Sequence, residues 1–197
     1  MRIGKKTALL VVDLQKLLTL PGGDNYYETA SEMMPRTAER IDQFREHGAL
    51  IVHIYTKYST ASGVTASAKS VNPEMAGRII KMPPDGLEID DRIHIVPDQD
   101  IVLRKYSYSA FLKTDLTQIL QQFGVENVLV CGIKTNVCCR QTAIDSTSHG
   151  FRTYMIRDMV CTNTEEISAY HLDEIDRYFA KVIDSGEVLR RLECGEF

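Results

Sequence analysis

The sequence predicts an α/β fold built on a parallel sheet, and three observations predict it. Short apolar runs rich in Val, Ile and Leu alternate with segments of helical period along the 197 residues, as happens when parallel strands are joined by crossover helices. None of these runs alternates strictly between apolar and polar residues, which is expected of strands covered on both faces. The composition, 44% hydrophobic and 25% charged, is that of an ordinary globular chain and excludes a disordered, collagen-like or coiled-coil protein. At about 150 residues per domain, one domain over 1–197 is expected.

The strand candidates are Thr7 to Val12, Leu50 to Tyr55, Ile101 to Leu103, Val128 to Cys131, Thr153 to Ile156 and Lys181 to Ile183. Between the first two, Glu32 to Glu46 puts Met33, Met34, Thr37, Ile41 and Phe44 on one helical face, and Gly48 follows as the stop. Leu112 to Phe123 carries Leu112, Leu116, Ile119, Leu120 and Phe123 at helical spacing and ends at Gly124. A further helix is expected from Thr162, whose hydroxyl caps it with Glu165 three residues on. It runs through Tyr170, Ile175, Tyr178 and Phe179, with its aromatic rings in the core. A short closing helix is expected to start around Ser185 and to include Val188 and Leu192. The longest irregular stretch, Thr56 to Asp100, is rich in Ser, Thr and Pro and is expected to be a lid or insertion loop over 56–100. Within it, Glu74 to Ile80 reads as a helical turn and Met82-Pro83-Pro84-Asp85-Gly86 as a tight turn.

Charge and cysteine usage narrow the functional classes. With 23 Lys+Arg against 27 Asp+Glu the net charge is -4, so no excess of cation exists to neutralise a phosphate backbone and nucleic acid is excluded as a partner. The five cysteines lack a C-x-x-C pair, and the five histidines lack H-x-x-x-H or H-E-x-x-H spacing. A disulfide framework, a thiolate zinc site and a helical two-histidine metal site are therefore not expected. The apolar run after MRIGKK is too short for a signal core or a membrane span, which predicts a reduced, cytoplasmic protein with no membrane partner.

In open parallel sheets function sits outside the carboxyl ends of the strands. Three reactive side chains fall there: Asp13 after the first strand, Lys105 after the third, and Cys138 just beyond the fourth. Together they supply an acid/base, a cation and a nucleophile. Gly132, Thr135 and Asn136 form a turn before a helix expected over Val137 to His149, so the Cys138 thiol lies at a helix N-terminus, where the dipole lowers a thiol pKa. Lys105 would lower it further. Cys139, one residue on, faces elsewhere and reads as a packed core thiol.

These residues bring a family into view. The chain resembles the isochorismatase-like cysteine hydrolases over nearly its whole length. The resemblance is carried by Asp13 and Gln15 in D-x-Q, by Lys105 followed by Ser109-Ala110-Phe111, and by G-x-x-T-x-x-C from Gly132 through Thr135 to Cys138, continued by Thr142-Ala143 and Asp145. It implies a three-layer α/β/α sandwich around a doubly wound, Rossmann-like parallel sheet of about six strands. It also implies a catalytic triad of Asp13, Lys105 and Cys138, a cis peptide at Ile133-Lys134, and an oxyanion hole made by the backbone amides of Lys134 and Cys138. The implied chemistry is metal-independent hydrolysis of a C–N bond in a small amide, ureide or carbamoyl compound. It passes through a thioester, releases ammonia and needs no cofactor.

For substrate contacts the sequence offers Gln15 and an aromatic wall of Tyr106, Tyr108 and Phe111, with packing against the next helix as the competing role of the rings. Arg104 is expected to face away. Relatives that hydrolyse nicotinamide carry an Asp-x-His metal motif after the second strand, where this chain reads His53-Ile54-Tyr55-Thr56-Lys57. His53 therefore reads as a core or sheet-face histidine, and nicotinamide is disfavoured. Relatives that cleave isochorismate lack the nucleophilic Cys, so Cys138 argues against that substrate as well. The resemblance further suggests a homo-oligomer, dimer or tetramer. The alternative function is a catalytically silent or redox-sensing relative, with Cys138 oxidised and Cys139 or Cys131 resolving it.

Overall fold

A computed structural model of the chain describes residues 6–22, 25–57, 71, 73–74 and 85–197. Among them the strands are β1 (Thr7–Val12), β2 (Leu50–Thr56), β3 (Ile101–Lys105), β4 (Asn127–Ile133), β5 (Arg152–Cys161) and β6 (Lys181–Ile183). They form one sheet in the order β3-β2-β1-β4-β5-β6 with every pairing parallel, the doubly wound arrangement. The helices are α1 (Lys16–Thr19), α2 (Glu28–Glu46), α3 (Leu116–Phe123), α4 (Arg140–Ser148), α5 (Glu165–Tyr178) and α6 (Ser185–Glu193). A single π-helical turn, Thr135–Cys139, opens α4. No helix among the described residues is long and apolar enough to cross a membrane.

Alternation of side chains along the strands sorts the core into two layers. Ala8, Leu10 and Val12 of β1, with Val52, Ile54, Val128 and Val130, pack against Leu116 and Leu120 of α3, Ala143 of α4, and Leu172 and Ile175 of α5. Leu9 and Val11, with Ile51, Leu129 and Cys131, pack against Ala30, Met34, Ile41 and Phe44 of α2 and Val188 of α6. Every residue of β1 and β4 is buried, which is why neither strand shows an alternating pattern in sequence.

Element boundaries depart from the sequence reading where local backbone chemistry decides them. α3 starts at Leu116, not Leu112, because Lys113 sits in the left-handed region at φ 56 and Leu112 is half exposed. The cap of α5 is Thr164, whose hydroxyl accepts the Ile167 amide at 3.4 Å; the Thr162 hydroxyl is turned to Asn136 Oδ1 at 2.8 Å. Tyr170 and Tyr178 are exposed and so lie outside the core assigned to them, while Phe179 packs against it. β5 continues past Ile156 because the charged pair Arg157-Asp158 spans an irregularity in its register with β4, after which Val160 and Cys161 pair again. The expected turns at 75–80 and 82–84, and the greater part of the 56–100 loop, lie outside the described residues. The part from Asp85 on begins with a short 3-10 turn, Asp85–Leu87.

Gly132 is where the sheet is tightest. It pairs with Val12 at φ 119, and a Cβ built there would stand 1.9 Å from the Val12 carbonyl oxygen. Only glycine fits this approach. Since Val12 leads directly into Asp13, Gly132→Ala is expected to lower stability by about 3 kcal/mol and to displace the carboxylate, read by urea denaturation and by loss of activity.

Candidate active site

The sequence places three reactive residues at three strand ends, and the sheet order brings those ends together. β1 and β4 are adjacent at the point where the winding reverses, with β2 and β3 on the β1 side, so Asp13, Lys105 and the Cys138 turn all open on the same edge. Asp13 ends β1 in a left-handed conformation, φ 53, its amide bonded to the Ile54 carbonyl of β2 at 2.8 Å. Lys105 is 0% exposed, with Nζ 2.8 Å from Asp13 Oδ2, 3.0 Å from the Ser107 carbonyl oxygen and 3.5 Å from Cys138 Sγ. The Asp13 carboxylate also hydrogen-bonds with the thiol.

A fourth member, Thr56, was not legible in the sequence, where it reads as the start of the long loop. It closes β2, and its hydroxyl donates to Asp13 Oδ1 at 2.7 Å while accepting from Lys105 Nζ. The one signal for it was position, since it sits at the carboxyl end of the strand lying between those of Asp13 and Lys105.

Gln15 explains how Thr56 is held. Its Nε2 donates to the carbonyls of Thr56 at 3.0 Å and Leu87 at 2.5 Å, and its Oε1 accepts the Thr56 amide at 2.9 Å. Both amide protons are thereby used and the side chain is buried. Gln15 therefore braces Thr56 and the 85–87 turn, and this corrects its assignment as a substrate contact. An antiparallel bridge from Gln15 to Ile89 and the Lys16 amide on the Glu88 carbonyl hold the same segment against the D-x-Q turn. Below it, buried Asp90 accepts from Arg92, through both guanidinium and amide, and from the Thr19 hydroxyl.

The Cys138 turn is fixed from both sides. Thr135 shares a 2.8 Å hydrogen bond with Ser168 of α5, and Asn136 is held by Thr162 at the end of β5. The peptide Ile133-Lys134 is cis, and the Lys134 carbonyl accepts from the amides of Val137 and Cys139. The amide of Ala110 donates to Thr142 Oγ1 at 3.1 Å, which ties the Ser109-Ala110 motif to the Thr142-Ala143 motif on α4. Cys139 is buried in the core.

The aromatic residues separate. Phe111 is buried with its ring 5.1 Å from His149 and 6.2 Å from Phe151, at the opposite end of α4 and β5 from the Cys138 turn, so it packs the core and does not line the site. Tyr106 is exposed under the Arg104 guanidinium at 4.4 Å, and Arg104 donates to the Lys57 carbonyl. Tyr108 is half-buried.

Electrostatics correct the expected thiol. Burial first, and the Asp13 carboxylate second, push Cys138 up to about 12, with Lys105 acting in the opposite direction. Burial opposes charge on Lys105, but Asp13 and Cys138 outweigh it and raise its pKa. Lys105 thus acts in the direction the sequence suggested, but burial and Asp13 outweigh it. Lys105 is favoured as the ammonium and Cys138 as the protonated thiol.

A parallel sheet wound in this order, with thiol, carboxylate and amine gathered at its switch point, defines an α/β/α cysteine hydrolase. The chain belongs to the isochorismatase family, whose domain model matches residues 7–187. It is 28% identical over 195 residues to maleamate amidohydrolase of Pseudomonas putida, covering 96% of this chain and 88% of that one. It is 24% identical over 198 residues to N-carbamoylsarcosine amidase of Arthrobacter sp, covering 97% and 73%. In fold it is similar to a cysteine hydrolase from Pseudomonas syringae pv. phaseolicola, with a TM-score of 0.85, 23% identity, and coverage of 96% and 93%.

The donor set does not fit the metal carried by nicotinamide-hydrolysing relatives. His53 is buried within β2 with Nε2 3.0 Å from Asp100 Oδ2, a carboxylate already held by Arg45, and burial lowers the pKa of its ring. Among the described residues no three His, Cys, Asp or Glu side chains converge on a metal position.

Two outcomes follow from these charges. Alkylation of Cys138 by iodoacetamide, followed by peptide mass, should climb with pH without a plateau below about pH 10. Asp13→Asn removes one of the groups that raise the thiol and should shift that profile to lower pH; an unchanged profile would contradict the assigned cause. Asp90, held at about 2 by its partners against the cost of its burial, contributes stability that is complete above about pH 4 and is lost as pH falls through about 2. Asp90→Asn should therefore be less stable than wild type at pH 7, with the difference shrinking below about pH 3 in denaturant titrations.

Proposed function

We propose that the protein is a metal-independent cysteine amidohydrolase that cleaves the C–N bond of a small amide, ureide or carbamoyl compound and releases ammonia through a thioester. The single observation that carries this reading is the buried Lys105 ammonium, 2.8 Å from the Asp13 carboxylate and 3.5 Å from the Cys138 sulfur. The amidohydrolase relatives support it.

In this mechanism Asp13 takes the Cys138 proton as Sγ attacks the amide carbonyl carbon. A thiol that rests protonated requires that transfer, since little thiolate is present beforehand. The backbone amides of Lys134 and Cys138 receive the developing oxyanion. Protonated Asp13 then gives its proton to the leaving nitrogen, the C–N bond breaks, and ammonia or an amine departs. Water, deprotonated by Asp13, attacks the thioester carbonyl and releases the acid, returning the proton to sulfur. Lys105 holds the Asp13 carboxylate at 2.8 Å and stabilises sulfur as its charge grows, and Thr56 fixes the carboxylate on which both proton transfers depend. Burial of Cys131 and Cys139 weighs against the redox alternative, which requires one of them to reach an oxidised Cys138.

The test is ammonia release from maleamate, N-carbamoyl amino acids, biuret, small ureides and nicotinamide, with EDTA present. Turnover of at least one amide, falling by about 10⁴-fold or more in Cys138→Ala, is expected. Turnover that survives in Cys138→Ala, or that EDTA abolishes, would overturn the reading.

A further inference from the structure

We propose that a trough beside the Cys138 turn is a second ligand site, shaped for a small ω-amino acid zwitterion, and that its occupancy steadies the turn carrying the thiol. The space arises from a mismatch of strand lengths. β5 runs to Cys161, whereas β6 pairs with Tyr154, Met155 and Ile156, and among the described residues no strand continues along that edge. α2 on one face of the sheet and α5 on the other flank the bare half of β5. The cavity between them measures about 470 Å³, within the range that holds a small molecule. Asp13, Lys105 and Cys138 do not line it.

The walls change character along their length. α2 presents Thr29, Glu32, Met33 and Arg36, one helical face spanning about 10 Å of rise. Two contacts fix its direction: Thr29 donates to the Thr162 carbonyl just past β5 at 2.6 Å, and Arg36 lies 3.8 Å from Asp158 farther back along the strand. Glu32, and Glu165 on the first turn of α5, stand toward the Thr162 end, and neither carboxylate has a hydrogen-bond or ion-pair partner among the described residues. Arg36 and Arg157 stand toward the other end. Arg157 is 3.4 Å from Asp184, Asp158 is already taken by the amide and hydroxyl of Ser185, and neither guanidinium donates a hydrogen bond to a described residue. Met33, Val160 and Leu172 supply apolar wall between the charged ends. An ammonium at the carboxylates, an alkyl chain along the apolar wall and a carboxylate at the guanidiniums complement this surface. Glu32 and Arg36 are separated by about 6 Å of helical rise, which suits the charge spacing of 4-aminobutanoate or 5-aminopentanoate.

Two hydroxyls connect the trough to the catalytic turn. Thr162 and Ser168 both line it, and they are the residues that hold Asn136 and Thr135 in the π-helical turn of Cys138. A ligand that spans from α2 to α5 across β5 binds only while these elements keep their spacing. It therefore lowers the population of states in which the turn loosens, and reagents reach Cys138 Sγ more slowly.

The experiment titrates glycine, 4-aminobutanoate and 5-aminopentanoate into the protein by calorimetry, with butanoate and butylamine as controls that carry one charge each. One of the two longer zwitterions is expected to bind with a stoichiometry of one, and glycine and both controls to bind at least about 10-fold more weakly. Glu32→Gln with Glu165→Gln, and separately Arg36→Met with Arg157→Met, should each weaken that binding by about 10- to 100-fold. Ala169, an exposed residue of α5 that lines the trough, gives a blocking variant: Ala169→Trp fills the space and should abolish binding. With ligand at saturation, alkylation of Cys138 by iodoacetamide should slow by about 5-fold or more, and this slowing should be absent in Ala169→Trp. No binding by either longer zwitterion, equal binding of the single-charge controls, or binding indifferent to Ala169→Trp and to the charge-removing pairs would overturn the site. Binding that leaves the alkylation rate unchanged would overturn its connection to the turn. Neither readout uses amide turnover, so failure here and failure of the amidohydrolase reading are told apart.

Discussion

A lysine ammonium with no exposed surface is the constraint around which this end of the molecule is arranged. An uncompensated charge of that kind costs more than any nearby packing returns, so its partners must be present and correctly placed. They come from four places along the chain: Asp13 after β1, Thr56 at the end of β2, the Ser107 carbonyl beyond β3 and the Cys138 sulfur after β4. Each partner carries its own supports, Gln15 beneath Thr56 and the Thr135–Ser168 pair beneath the Cys138 turn. The wiring of the sheet edge is therefore organised by one amine.

The same constraint shapes the chemistry. Asp13 and Cys138 raise the pKa of Lys105 against the cost of its burial, and burial, with Asp13 second, keeps the proton on Cys138. In the proposed mechanism, nucleophilic strength appears when a carbonyl carbon and the Asp13 oxygen are both in reach.

Much of this was legible in the sequence because parallel strands buried on both faces leave an unmistakable run of Val, Ile and Leu, and because a sheet of this kind works at its strand ends. Asp13, Lys105 and Cys138 each follow such a run. Thr56 did not stand out, since a threonine at a strand end is common and its importance comes from Asp13 and Lys105, far away in sequence. Gln15 was visible in its motif, but whether an amide faces substrate or backbone depends on the Leu87 and Thr56 carbonyls. Phe111 follows the lysine closely enough to suggest a pocket wall, yet the chain turns it toward His149 and Phe151. The thiol's protonation was misread because a helix N-terminus can be read from sequence whereas desolvation cannot.

The contact between Gly132 and Val12 bears on how such a site can diversify. The separation of β1 from β4, and with it the spacing of Asp13 from the Cys138 turn, is set there by backbone meeting backbone. Side-chain replacements around the opening leave that spacing alone. The placement of Asp13 against the Cys138 turn is therefore mechanically decoupled from the side chains that surround the opening. A directed-evolution library built on this scaffold would best hold β1, Gly132 and the Cys138 turn constant and spend its diversity on the rim.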